Sequence, residues 1–362
     1  MLKRIVVGLA APVLAIVIAM LITVVILVVS GNSVSGFMTT IFSVPAPRNI
    51  VNIINNSSVL YLSALAAAIG FRMNLFNIGV EGQYRVAVFT AAAFAGQGWL
   101  PGPLNVLVAV LLAIVAGAVW AAIAGVLKVT RGVSEVISTI MLNAIAVSLT
   151  AYLLRKWGGI VGNSIQTKAL PKDSWVPGIP LIPGAPNEVL GMALVAVVAG
   201  VGYAVLLSRS RFGFELRATG ASPTAAVASG IDVRRMVVTA MIISGGIAAL
   251  VGLPLLFGDT HSYGTTFQSG LGFAGIAVAL LGRNNPAGIA FGSLLFAFLV
   301  EQSSLLEINA GVSNDIVSIT QGVLVLSVVV AYEIVRRYRL AAEQRSVAEQ
   351  LAPAGAKQEV AA

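Results

Sequence analysis

Apolar runs of roughly 17 to 25 residues, the length an α-helix needs to cross a bilayer, recur along this chain of 362 residues, separated by short segments rich in glycine, proline or charge. Strands of a membrane barrel would be shorter and would alternate polar with apolar. Backbone buried in lipid must pair its own N–H and C=O groups, so the fold class is all-α, a polytopic transmembrane helix bundle. Composition agrees, with 58% hydrophobic and only 10% charged residues, against about 25% charged in soluble domains. With Cys 0, disulfides, thiolate metal sites and a cysteine nucleophile are excluded. His261 is the single histidine, so no site with two histidine ligands forms within one chain.

Hydropathy, with glycine, proline and charge as punctuation, predicts about ten spans, near 5–29, 57–71, 82–98, 104–127, 134–154, 188–208, 236–257, 267–282, 286–302 and 315–335. Lys3 and Arg4 precede a first run too long for a signal-peptide core, so it reads as a retained helix. Most basic residues gather on one side of this topology, leaving Arg48, Arg155, Lys156, Lys168 and Lys172 on the other. That asymmetry orients both termini toward the cytoplasm. It also accounts for the net charge of +8 without any nucleic-acid partner. The expected organisation is a transmembrane domain over 1–338 and a flexible cytoplasmic tail over 339–362. The domain carries a cytoplasmic loop at 209–235 and a proline-rich extracellular loop at 157–187. The spans at 57–71 and 267–282 are short and interrupted by glycine, which hints at an inverted repeat, although no self-similarity accompanies it.

The cytoplasmic loop contains "RATGASPTAAVASGIDVRR", residues 217–235. Ser222 before Pro223 is a helix start, because the hydroxyl caps a free N–H and proline has none to lose. Gly230 is a natural stop. Two turns of helix are unstable alone in water, so the segment needs a surface to lie on. Ala225, Ala226 and Ala228 are expected to present a smooth face to a soluble partner, framed by Arg217, Asp232, Arg234 and Arg235. An ordinary basic loop is the alternative.

The run "TAAVASG" resembles the coupling loop of ABC importer permeases, with Thr224 where many such loops carry glutamate and without the later I-x-L-P portion. Three further stretches sharpen the likeness: "FRMNLFNIGVEGQ" (71–83), "LKVTRGVSEVISTIMLNAIA" (127–146) and "GFAGIAVALLGRNNPAG" (272–288). Together they resemble the permease subunits of bacterial nucleoside and simple-sugar ABC importers, specifically the longer of two paired permeases, from about residue 57 to about 335. The resemblance implies a fold similar to the ten-helix permeases of the ribose and vitamin B12 importers, in the bacterial cell membrane. It also implies a second permease, cytoplasmic ATPase subunits and an extracellular substrate-binding lipoprotein. Arg217, Ser222, Pro223, Thr224, Ala225, Ala226, Gly230 and Asp232 would then form the ATPase-coupling element.

A phosphate-cradling loop requires G-x-x-x-x-G-K-[ST], and Gly-Lys occurs nowhere in the chain. ATP would be used by partner subunits, and this chain is expected to be no enzyme and to need no cofactor of its own. Ionisable and amide groups inside a membrane cost free energy unless paired or lining a wet path. On that ground Asn77, Glu81, Gln83 and Asn143, with Phe76, are candidates for the substrate path, offering hydrogen bonds to ribose hydroxyls or a base edge. The competing reading makes Glu81 a first-turn carboxylate and Asn77 a cap. Phe71, Phe76, Phe89 and Phe273 can stack on a nucleobase or simply pack. A rival from another class is an ion-coupled transporter using Glu81, Glu135 or Asp315.

Overall fold

The computed structural model describes residues 2–351 and is mostly helical. In chain order the elements are α1 (Leu2–Val29), α2 (Val34–Ile41), α3 (Pro47–Phe71), α4 (Val80–Ala95), α5 (Gly102–Arg131) and α6 (Glu135–Trp157). A small hairpin follows, β1 (Gly159–Val161) and β2 (Ser164–Gln166), then α7 (Ala193–Arg209), α8 (Arg211–Ala221), α9 (Pro223–Ala228), α10 (Val233–Ala248), α11 (Leu253–Leu255), α12 (Leu271–Leu281), α13 (Pro286–Ala310) and α14 (Asn314–Leu351). Among the described residues six helices are by length and composition able to cross a membrane, or seven if the pair α7 and α8, bent by 71°, counts as one. The helices α4 and α12 are shorter.

The chain divides into two compact units. One comprises Met1–Ile41 and Ser303–Ala362; within it α1 packs along α14, burying Ala19, Thr23 and Leu27 at four-residue spacing, one helical face. The other, Phe42–Gln302, holds the elements of interest. At its centre lies α3, buried without interruption from Leu62 to Phe71. The sequence there, "LSALAAAIGF", is mostly small residues, which lets α12, α10 and α7 approach closely. A stripe of Asn105, Ala109, Ala113, Gly117 and Ala121 on α5 does the same for α10. A Cβ on Gly117 would stand 2.6 Å from the Gly245 carbonyl.

Three boundaries differ from expectation. The span predicted at 57–71 begins at Pro47, because Asn49, Asn52, Asn55 and Asn56 depress hydropathy without breaking the helix. Asn52 and Asn55 are paired inside the protein. The span predicted at 236–257 is a single candidate span extended to Val233–Thr260, within which regular α-helix gives way after Ala248 to the short α11 and one turn of π-helix at Leu256–Thr260. The last helix does not stop near Tyr338 but runs to Leu351, through a segment rich in the helix formers Ala, Glu, Gln and Arg. The remainder of the expected tail, 352–362, lies outside the described residues.

The proline-rich connection after α6 is a folded cap. Beyond the hairpin, Thr167 N–H donates to the Tyr263 carbonyl (2.8 Å), Leu170 N–H to His261 (2.8 Å) and Val176 N–H to Phe257 (2.9 Å). The Trp175 ring lies parallel to His261, with centroids 3.7 Å apart and planes within 4°.

Candidate functional site

After α3 the chain turns back into the bundle. Asn77 Nδ2 donates to Ser244 Oγ (2.7 Å), which donates to the Ala66 carbonyl (2.6 Å); Ala66 lies roughly 7 Å from the end of α3 at 1.5 Å per residue. Ser63, about 12 Å from that end, donates to the Leu271 carbonyl at the start of α12 (2.8 Å). Both α4 and α12 therefore begin inside the thickness of the bundle, and Glu81 bridges the two starts. Its carboxylate accepts Gly270 N–H (3.0 Å) and Gly272 N–H (2.9 Å) of α12, and also Arg85 Nε (2.9 Å) and the Tyr84 hydroxyl (2.9 Å). An anion there satisfies the free N–H groups at a helix start and is favoured by the dipoles of both helices.

The amides complete the break. Asn77 and Gln83 exchange two hydrogen bonds (3.0 and 2.9 Å), and Asn77 Oδ1 also accepts Gly79 N–H (3.0 Å). Asn143 Oδ1 accepts Gly82 N–H (2.8 Å) while its Nδ2 donates to the Ile78 carbonyl (2.9 Å). Glycine at position 82 permits this approach, since a Cβ would stand 2.8 Å from Asn143 Oδ1 and 3.0 Å from Asn143 Cα, displacing the amide from its bond. The structure thus brings together Asn77, Glu81, Gln83 and Asn143, all buried, with their polar atoms engaged inside the chain. Phe76 stands apart, 48% exposed and edge-on to Phe71 at 5.3 Å. Its N–H donates to Glu135 (3.4 Å), a carboxylate that also pairs with Lys128.

At one end of the bundle α8 and α9 form a bent foot. Ser222 Oγ accepts Ala225 N–H (3.3 Å) and bonds Thr224 Oγ1 (3.1 Å), with Pro223 in the first turn. Gly230, at φ +80°, ends the turn as Ile231 N–H returns to the Ala226 carbonyl (3.0 Å). One residue is placed differently from expectation. Ala226 is 2% exposed and faces inward, so the outward surface is made by Thr224, Ala225, Val227 and Ala228; two turns of helix must bury one face to persist. Asp232 caps α10, accepting Arg235 N–H (3.0 Å), and Arg217 donates to the Leu207 carbonyl. The foot is tied to the core where Asn74 Nδ2 donates to the Gly220 carbonyl (2.7 Å); next to it, Arg72 at the end of α3 donates twice to the Asn284 carbonyl in the turn after α12 (3.2 and 2.7 Å).

The other end of the bundle carries features the sequence reading missed. A polar cavity of about 560 Å³ is lined by Asn52, Asn55, Asn187, Glu188, Asp259 and Glu301, among others. Asn52 donates to Glu301 (2.9 Å) and accepts from Asn187 (2.8 Å). The signal was present as asparagines at 49, 52, 55 and 56, one face of a helix, but they lay outside the predicted span. A second cavity of about 690 Å³ lies between α4 and α6, and an apolar groove of about 670 Å³ runs along α3, α7 and α13. His261, in left-handed backbone at φ 51°, is a stacking residue with Nδ1 unpartnered. Burial pushes its ring below the ordinary imidazole range, and Asp259 opposes that. Among the described residues no cluster of three or more His, Cys, Asp or Glu is placed to hold a metal.

Comparison with known proteins gives consistent matches. A family model described as the permease component of the branched-chain amino acid transport system matches residues 49–329. The guanosine ABC transporter permease protein NupP of Bacillus subtilis is 33% identical over 90% of this chain and 94% of its own. The nucleoside ABC transporter permease protein NupB of Lactococcus lactis is 30% identical over 89% and 90%. The glucose ABC transporter permease protein TsgB13 of Haloferax volcanii is 32% identical over 78% and 76%.

Proposed function

From the premise that the chain belongs to the family of ABC transporter permeases typified by the branched-chain amino acid permease component, we propose that its cargo is a nucleoside, carried inward by alternating access. As a permease it is a multi-pass membrane protein and a transport subunit rather than an enzyme, with ATP hydrolysed on separate chains. The observation that carries the cargo is the similarity to guanosine and nucleoside permeases along nine-tenths of this chain. Glucose is the second reading, favoured by the 32% identity to TsgB13.

In this reading α1, α3, α4, α5, α6, α7, α10, α12, α13 and α14 are the ten spans of a transmembrane domain over 1–338. Both termini, the segment beyond 338 and the foot α8–α9 lie in the cytoplasm, and the cap at 157–187 lies outside. The distribution of basic residues supports this orientation. The foot is the docking surface for the ATPase subunits, offering Val227, 61% exposed, and the exposed Arg234 and Arg235. Its tie through Asn74 carries displacement to the end of α3, and Arg72, bonded to the Asn284 carbonyl, passes it on to the turn after α12. Asn77, Glu81, Gln83 and Asn143, with Phe76 beside them, border the path as a hinge, and their polar atoms meet substrate when the network opens. The partners are a second permease, the ATPase subunits and an extracellular substrate-binding lipoprotein, as the motifs at 71–83, 127–146 and 272–288 imply by their resemblance. The test is uptake by the reconstituted complex. ATP-dependent accumulation of labelled guanosine or uridine is expected; uptake that needs a proton gradient but no ATP would overturn the reading, and uptake of glucose alone would replace the cargo.

A further inference from the structure

The cavity between α4 and α6 differs in chemistry from the other two. On α4 its wall is the stripe Val86, Thr90 and Phe94, spaced at one and two helical turns, with Gln97 just past the end of the helix, and on α6 it is Thr150, Leu153 and Trp157. Trp99 and the segment Thr167–Lys168 close the remaining side. Its volume, about 690 Å³, falls in the range of small-molecule sites, which are largely apolar with a few placed polar groups. Trp99 is 71% and Trp157 64% exposed, and Phe94 meets Trp99 edge to face at 5.8 Å and 83°, which fixes the orientation of both rings. Gln97 and Lys168 are exposed beside these rings, and no carboxylate lines the cavity.

Tryptophan at the end of a membrane helix often serves as an interfacial anchor, and an anchor needs neither a concave pocket nor an amide and an ammonium at the pocket wall. Aromatic faces stack on any base, an amide offers both donor and acceptor to a ring edge, and lysine suits the acceptor edge of guanine, its O6 and N7. A simple sugar can lay a C–H face on one such ring, but it has no flat π system to be held between several and no edge of the O6 and N7 kind to meet the lysine. The polar cavity at Asn52, Asn187 and Glu301 is the opposite case, with amides already paired to each other.

We propose that the α4–α6 cleft is the subsite for the flat heteroaromatic ring of the cargo, with Phe94, Trp99 and Trp157 supplying ring faces and Gln97 and Lys168 contacting the ring edge. This rests on the nucleoside reading and gives the permease a means of distinguishing a nucleoside from a sugar after release from the binding protein. The test uses the complete complex in proteoliposomes. Phe94→Leu and Trp157→Leu are expected to raise the KM for guanosine by about tenfold, the scale of one lost stacking contact, with a smaller change in kcat, and Trp157→Phe to restore it. Because the chain has Cys 0, Gln97→Cys adds a unique thiol to this subunit. Its alkylation should be slowed by guanosine and not by glucose, a readout that survives if the leucine variants fail to assemble. Guanosine uptake with unchanged KM in both leucine variants, or alkylation indifferent to guanosine, would overturn the subsite while leaving nucleoside import intact. A wild-type complex that moves glucose and no nucleoside would overturn the import reading and the subsite with it.

Discussion

Glu81 is the residue on which the interior of the protein turns. Four donors converge on its carboxylate, two of them backbone N–H groups at Gly270 and Gly272, and charge-assisted bonds of this kind are worth more than neutral ones. Glu81→Gln replaces one acceptor oxygen by an NH₂ group that cannot accept, leaving a donor on α12 or the Arg85 guanidinium unpaired. The expected cost is about 2 to 4 kcal/mol, measured as a lower thermal unfolding midpoint of the purified subunit; an unchanged midpoint would show the bridge to be dispensable. Legibility at this scale divides cleanly. That Glu81 begins a helix follows from Gly79, Gly82 and the apolar run behind them. That its carboxylate serves a second helix at Gly270–Gly272 is invisible along the chain, since no local pattern couples positions so distant.

Among the elements, the foot shows how a short helix can be right in its limits and misjudged in its facing. Its start at Ser222–Pro223 and its close at Gly230 depend on bonds reaching only a few residues, so they are legible locally. Which alanine points inward depends on α8 and α10, which pack on α9. Val227→Asp is therefore the informative substitution at the proposed docking surface. It should abolish ATP-coupled uptake, through repulsion and desolvation at the ATPase contact, while leaving the unfolding free energy within about 0.5 kcal/mol of wild type. Ala226→Glu should instead destabilise the subunit by at least 1 kcal/mol, on the order expected for burying a charge in a filled site. Comparing uptake and unfolding for both variants checks the assignment, and coupled uptake retained in Val227→Asp would remove the foot from the docking role.

For the molecule as a whole, the two ends of the large unit are built differently. One end is a tethered foot, and the other is closed by a cap whose backbone pairs with residues 257–264. His261 sits at that junction, stacked on Trp175, its ring held below the ordinary imidazole range by burial. Because the unfolded segment binds the proton more readily, cap stability is complete above an unfolded pKa of about 6.5 and falls as pH drops through it. Protection of the Leu170 and Thr167 amides from hydrogen exchange, taken relative to the intrinsic rate at each pH, should fall between about pH 7.5 and 5.5, and His261→Phe should flatten that fall; protection that does not change with pH would exclude the stack as a determinant.

By itself the sequence determined the solvent this protein lives in, the helical class that solvent imposes, the glycine and proline positions where helices stop, and the cap at Ser222. These follow from composition and from bonds spanning a turn or less. Only the tertiary structure decided that α3 continues through its asparagines, that Asn77 answers Gln83 and Ser244, and that aromatic residues from α4 and α6 share one cleft. Such outcomes depend on which buried polar group finds a partner far away in the chain. In a medium without water, an unpaired group costs enough to choose among folds, yet leaves no mark in its own neighbourhood.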